Sequence, residues 1–343
     1  MSQKRLGFFT RLLDKTGPQQ RYRLALEQIQ HAERHGFATA WIAQHHFHEH
    51  EGGLPSPLVF LAWAAAQTRR IRLGTAIITL PLENALRVAE DTAVLDLLAQ
   101  GRLEIGLGSG GTPSSFLPFG LNIDQRGAVF SEHLQVLLHA WNGDTLGHAD
   151  NRLYPAAPQL ASRVWIATFS VEGAARAGQA GQGLMLSRTQ PRPHHQPQLA
   201  LDAIQNPMID AYLAALPAGV APRILASRTA FVSDSRQQAR ALALAGLSSQ
   251  AQQYRAAGHQ VAGDTLDDYI AAFDVHLGTA DDVSSSLAAD STLLRATDIS
   301  FQVHSIDPPH QDILRSIELI ASEVSPALGW TTAPSTVAQE TPA

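Results

Sequence analysis

The sequence predicts a single α/β domain, a (β/α)8 TIM barrel with an insertion between its seventh and eighth strands, and three observations carry that expectation. Short apolar runs alternate with longer segments of helical period along nearly the whole chain. Eight such alternations are counted, the number a closed α/β barrel needs. The length of 343 residues accommodates two or three small domains or one large barrel. A doubly wound sheet alternates as well, and it is the count of eight that favours the barrel.

Arg5 to Thr10 (RLGFFT) forms the first strand, and Arg21 to His35 follows as a helix with Leu24, Ile29 and Ala32 at helical spacing until Gly36 stops it. Thr39 to His45 and Ile71 to Leu80 are the second and third strands, separated by the apolar helix Leu58 to Thr68. A helix from Ala85 to Ala99 closes at Gly101, and Arg102 to Leu107 is the fourth strand. Val164 to Phe169 leads into a helix at Val171 to Ala180, and Gly183 to Ser187 is a short sixth strand. Ile224 to Val232 and Asp298 to His304 complete the eight, the last followed by a helix from Pro309 to Ser325. Two stretches exceed a minimal barrel. Gly108 to Asp124 is a loop rich in Gly, Pro and Ser, and residues 241–294 carry helical segments that suit a lid over the active face. Residues 1–330 thus make one domain, and 331–343, without apolar periodicity, a disordered tail.

Composition narrows the chemistry. The chain has no cysteine, which excludes disulfide scaffolds, thiolate zinc sites, iron–sulfur clusters and cysteine nucleophiles. Its 25 Lys and Arg against 31 Asp and Glu, with no long like-charged run, leave no basic footprint for nucleic acid. The longest apolar stretch, Leu58 to Ala66, is about half of a membrane span. No signal-peptide core precedes Arg11. The expectation is a cytoplasmic protein with no membrane partner.

Four segments carry candidate chemistry. Gly106 to Gly111 (GLGSGG) matches a dinucleotide-binding pattern formally, yet it meets Thr112 and Pro113 where that fold requires a helix. The same glycines, with Ser109, allow close backbone approach to a flat or anionic ligand at the mouth of a barrel. His45, His46, His48 and His50 follow the second strand, as a catalytic histidine, a metal cluster or plain surface residues. The other strand ends offer poor metal ligands, with His304 the one obvious partner. Ser170, Val171, Glu172 and Gly173 open the helix after the fifth strand, where a Ser N-cap and free N–H groups make either a phosphate cradle or an ordinary cap. Arg188, ending the sixth strand, supplies positive charge on the same face or serves as a salt-bridge partner.

Together these segments resemble a family. Trp41 to Phe47 (WIAQHHF), Gly74 to Pro81 (GTAIITLP), Glu90 to Arg102 (EDTAVLDLLAQGR), Glu104 to Gly108 (EIGLG) and Ser170 to Ser187 are similar, in order, to the bacterial luciferase-like flavin-dependent monooxygenases. The resemblance spreads over most of residues 5–325. It implies a catalytic histidine at His45, within a segment whose usual leading Glu is here Gln44. A non-proline cis peptide that supports the flavin ring falls on Ala76 and Ile77, and the phosphate cradle on Ser170 to Gly173. The position of the reactive cysteine of bacterial luciferase is here Gly108.

The resemblance further implies FMN, delivered reduced by a separate flavin reductase. Oxygen adds at the flavin C4a carbon, and the resulting peroxide oxygenates a small organic substrate. In that reading His45 manages protons, because neutral imidazole has a pKa near working pH. Phe8, Phe9, Phe116, Leu117 and Phe119 form an apolar substrate lining or barrel and loop core. Family members often pair through the second and third helices, here about Leu58 to Thr68 and Ala85 to Ala99, which implies a homodimer. Rival readings are an F420-dependent oxidoreductase on the same fold, a non-catalytic flavin-binding protein, and a metal hydrolase built on the histidine cluster.

Overall fold

The computed structural model describes residues 4–330 apart from 149, 194, 197, 257 and 259. The tail expected at 331–343 lies outside the described residues. Strand β1 (Arg5–Thr10) precedes helix α1 (Pro18–Arg34), and β2 (Thr39–Ile42) precedes α2 (Pro57–Gln67). Next come β3 (Arg72–Thr75), β4 (Ile78–Thr79), α3 (Ala85–Leu98), β5 (Leu103–Gly108) and α4 (Arg126–Trp141). The second half continues with β6 (Val164–Ala167), α5 (Val171–Gln179), β7 (Gly183–Leu186), α6 (Leu201–Ala215) and β8 (Ile224–Val232). After β8 come α7 (Arg236–Ala256), α8 (Leu266–Ala272), β9 (Val275–Gly278), α9 (Ala280–Ala288) and α10 (Ser291–Arg295), and then β10 (Asp298–Gln302) and α11 (His310–Leu319).

All ladders are parallel, and β10 pairs with both β1 and β8, so the sheet closes on itself. Counting β3 and β4 as one interrupted strand, and setting β9 aside, the barrel has the eight strands the alternation predicts. Alternate residues face the interior. Leu6 and Phe8 of β1 join the large core under the helices, while Phe9 packs with Trp41, Trp165, Met185 and Leu225 inside the barrel. Trp41 and Trp165 meet edge to face at 5.7 Å. They fit because their neighbours lack side chains: a Cβ on Gly7 would stand 2.9 Å from the Trp41 ring, and those on Gly74 and Gly183 would overlap Trp41 and Trp165.

Two features depart from the sequence reading. The third strand, expected to run unbroken over Ile71 to Leu80, is interrupted at a cis Ala76–Ile77 peptide. Gly74 is in register with Glu104 and Ile78 with Leu107, so four steps on one strand match three on the other. The extra residue makes a bulge. Thr75 bridges it, its hydroxyl donating to the Gly106 carbonyl at 2.9 Å and accepting from the Gly106 N–H at 3.0 Å. The second departure lies in the insertion, where β9 pairs with Thr229 to Val232 and extends the upper half of β8. Its four residues, VHLG, are too short to stand out among helical segments.

Candidate active site

The loops after the strands build a mouth around His45. Its backbone N–H donates to the Leu54 carbonyl at 2.9 Å, closing the loop after β2 on itself, and the Gly53 N–H donates to the Arg11 carbonyl at 2.9 Å, which ties that loop to the end of β1. Gly52 lies against the imidazole, where a Cβ would come within 2.5 Å of the ring. Glu51 contributes a carboxylate 4.0 Å from His45 Nδ1, and its carbonyl accepts from Arg11 Nη2. Sequence reasoning missed Arg11, although its place directly after the first strand marks it as a mouth residue.

Arg188 is the second cation of the mouth, held by neutral groups. Its Nε donates to Gln302 Oε1 at 2.7 Å and its Nη1 to Thr229 Oγ1 at 3.2 Å. Burial, and then the nearby Arg11, lower its pKa to about 10. Arg11 is lowered too, chiefly by burial, and its Nε is buried without a hydrogen-bond partner. Both interact electrostatically with Tyr254, so the far end of α7 reaches the mouth. Among the described residues neither forms a salt bridge, and the Glu51 and Asp274 carboxylates act on Arg11 and Arg188 only electrostatically, which offsets part of the cost of burying their charge.

His45 responds to this field. Burial, Arg11, Arg188 and His46, in that order, lower its pKa to about 3. The mouth's own groups therefore do not give the expected pKa near working pH. The imidazole stays neutral, because a third positive charge beside two arginines is disfavoured.

The floor under the mouth is the bulge. Ala76 and Ile77 pack on the inner tryptophan cluster, and Gly108 lets the Ile77 side chain cross β5, since a Cβ there would sit 2.9 Å from Ile77 Cδ1. Gln44, where an acid was expected, bridges two groups of opposite character. Its Oε1 accepts from Thr79 N–H at 2.7 Å, and its Nε2 donates to Glu83 Oε1 at 2.6 Å. An amide performs both tasks, whereas a carboxylate would face Glu83 with like charge. Ser109 follows at the half-buried start of the glycine loop.

Ser170 caps α5, accepting from the Gly173 N–H at 3.0 Å. A Cβ on Gly173 would overlap Thr168 Oγ1, so the turn requires glycine there. The first-turn N–H groups of Val171 and Glu172 have no intrahelical acceptor, and both residues are exposed. The expected help from Arg188 is not part of this arrangement: its bonds run to β8 and β10, and among the described contacts none joins it to Ser170, Val171, Glu172 or Gly173.

The apolar residues divide. Phe8 and Phe116 are fully buried core, whereas Leu117 and Phe119 are exposed beside Phe47, which is 63% exposed. Phe119 packs edge-on against His46 at 5.0 Å and lies 6.0 Å from Phe47. His304, the suggested metal partner, faces Asp14 instead, with Nε2 at 3.3 Å from Oδ2. That separates it from the histidine cluster.

Comparison with known proteins agrees with the geometry. A family profile described as luciferase-like monooxygenase matches residues 6–291. Monooxygenase RslO1 from Streptomyces bottropensis superposes with a TM-score of 0.77 at 28% identity, covering 94% of this chain and 99% of that one. The oxygenating constituent of 3,6-diketocamphane monooxygenase from Pseudomonas putida, solved with FMN, has the same fold, with a TM-score of 0.75 at 18% identity, covering 95% and 98%. Limonene 1,2-monooxygenase of Rhodococcus erythropolis is 32% identical over 178 residues, 48% of this chain and 45% of that protein. The chain thus aligns with about half the length of the curated relatives it matches.

Proposed function

The chain belongs to the luciferase-like monooxygenase family, and from that premise we propose that it is a flavin-dependent monooxygenase that uses reduced FMN and O2 to oxygenate a small apolar substrate. The observation that carries this reading is the mouth itself: buried Arg188, whose described hydrogen bonds go to neutral groups, and half-buried Arg11 stand beside a neutral histidine. Such a site is built for a ligand bearing negative charge. Reduced flavin, when bound, supplies the electrons for oxygen activation.

The chain's own residues do the rest. The N–H groups of Val171 and Glu172, with Ser170 and Gly173 shaping the turn, hold the cofactor phosphate at the positive end of α5. Ala76, Ile77 and Gly108 form an apolar bed for a flat ring, and Ser109 stands at its edge. Arg11 and Arg188 receive anionic charge. An anion beside them offsets their share of the lowering at His45, which burial otherwise dominates. Phe47, Leu117 and Phe119 give the rim an apolar surface that favours apolar substrates and sheds water. A separate flavin reductase is the transient partner that this reading requires as the source of reduced flavin.

The exposed Val59, Trp63, Leu97 and Leu98 on α2 and α3 form an apolar surface that a second copy of the chain covers, giving a homodimer. Sedimentation checks the dimer. Among the described residues no helix is long and apolar enough to cross a membrane.

Titration of the protein with oxidised FMN, reduced FMN and F420, followed by oxygen uptake with aldehydes, ketones, terpenes and sulfur compounds, tests the reading. The expected result is tightest binding of reduced FMN and substrate-dependent formation of an oxygenated product. Hydride transfer with F420, or flavin binding with no oxygenation above background across the panel, overturns it.

A further inference from the structure

Away from the mouth, α1 and α11 bring together three side chains that could hold a metal ion. The ligand atoms of His31, His35 and Glu318 all lie within 4.8 Å of one another. His31 lies in the last turn of α1 and His35 caps its C-terminus, with ring centroids 4.5 Å apart. Glu318 is contributed by α11. All three residues are half-buried, which sets the group apart from a fully exposed surface cluster.

We propose that His31, His35 and Glu318 form a binding site for a divalent cation of the zinc class. Two imidazoles and a carboxylate suit Zn2+, and equally Co2+ and Ni2+ as probes, and they leave a fourth position for water. The half-buried setting makes the site exchangeable. Two cations compete for it. Arg34 Nη2 donates to His31 Nδ1 at 3.1 Å, and Arg315 Nη1 lies 2.9 Å from Glu318 Oε1. Metal binding displaces or outcompetes these contacts.

The site ties the helix after β1 to the helix after β10. Those are the strands whose pairing, from Arg5 with Asp298 to Phe9 with Gln302, joins the two ends of the barrel. A bound ion therefore stabilises the folded chain by mass action.

The test uses untagged, chelator-treated protein. Zn2+ is titrated calorimetrically, Co2+ by its visible ligand-field spectrum, and the thermal midpoint is read with and without metal. The expected result is one equivalent per chain, a tetrahedral-type Co2+ spectrum and a raised midpoint. His31→Ala, His35→Ala and Glu318→Gln should each weaken binding at least about tenfold, and Arg34→Ala should tighten it. Joint replacement of His48 and His50 by Ala should leave it unchanged. Absence of stoichiometric binding, or binding that survives in the His31 and His35 variants, overturns the proposal. Glu318→Gln preserves side-chain shape, so it decides the matter should a histidine variant fail to fold.

Discussion

At the N-terminal end of the barrel the inward-facing charges meet partners. Arg5 pairs with Asp298 through Nε at 2.8 Å and Nη2 at 2.9 Å, and Arg72 Nε meets Glu104 Oε1 at 2.6 Å. Glu104 also accepts from Trp165 Nε1 at 2.7 Å, and Arg223 lies over the same indole at 4.9 Å. At the C-terminal end the described hydrogen bonds of half-buried Arg11 and buried Arg188 go to a carbonyl, an amide and a hydroxyl, and Glu51 and Asp274 act on them only electrostatically. One strand scaffold thus carries an ion-paired end and a mouth whose arginines form no salt bridge among the described residues. On the proposed reading the paired end serves stability, while the mouth leaves positive charge for a ligand to meet.

The largest expected effect tests the open end. With reduced FMN supplied, His45→Ala should lower kcat about 100-fold or more while flavin still binds. A rate near the parent would remove His45 from the chemistry. A paired experiment then sets the two ends against each other. Asp298→Asn should destabilise the fold by about 1–3 kcal/mol in denaturant titrations, because it leaves Arg5 partly buried without its countercharge. Arg188→Met should keep stability within about 1 kcal/mol of the parent, since removal of a desolvated charge offsets the loss of its hydrogen bonds. That same variant should weaken reduced-FMN binding about tenfold. If Arg188→Met unfolds the protein as readily as Asp298→Asn, the contrast between the ends fails.

Acid should affect the mouth and its neighbourhood next. The pKa of His45 is lowered to about 3, and burial and Arg228 lower that of His276 to about 4. Both titrate lower folded than unfolded, so below about pH 6.5 the unfolded chain binds more protons. Stability present above that pH is lost as the pH falls through about 4 and then about 3. His276→Asn should flatten the upper part of this acid limb, an effect of about 3 kcal/mol at most. Smallest is Gly52→Ala, which should tilt the imidazole and lower kcat several-fold with little change in the unfolding midpoint. Equal loss of activity and stability would show that Gly52 serves folding and not the site.

The two ends also differed in how far they could be read from the chain. The β1 and β8 spans were legible residue for residue, because long apolar runs bounded by polar residues have one interpretation. The interruption at Ala76 and Ile77 was invisible to the apolar pattern, since a strand buried on both faces shows no alternation to break. It was anticipated only through the resemblance of Gly74 to Pro81 to a family. His45 was legible as a strand-end residue, whereas its depressed pKa was not. That property comes first from burial and then from Arg11 and Arg188, which lie far from it in sequence.

The sequence by itself therefore determined the closed eight-strand barrel, the helix-capping turn at Ser170 and the placing of His45 at the mouth, because each rests on local pattern and short-range backbone chemistry. Tertiary structure alone decided which charges would be neutralised. Arg188 meets Gln302 across 114 residues and Arg5 meets Asp298 across 293, and both are strand-end arginines of the same kind. Electrostatic energy depends on distance in space and on the solvent excluded there. No local pattern carries that information, so the paired and the open end of the barrel become distinguishable only once the strands have closed.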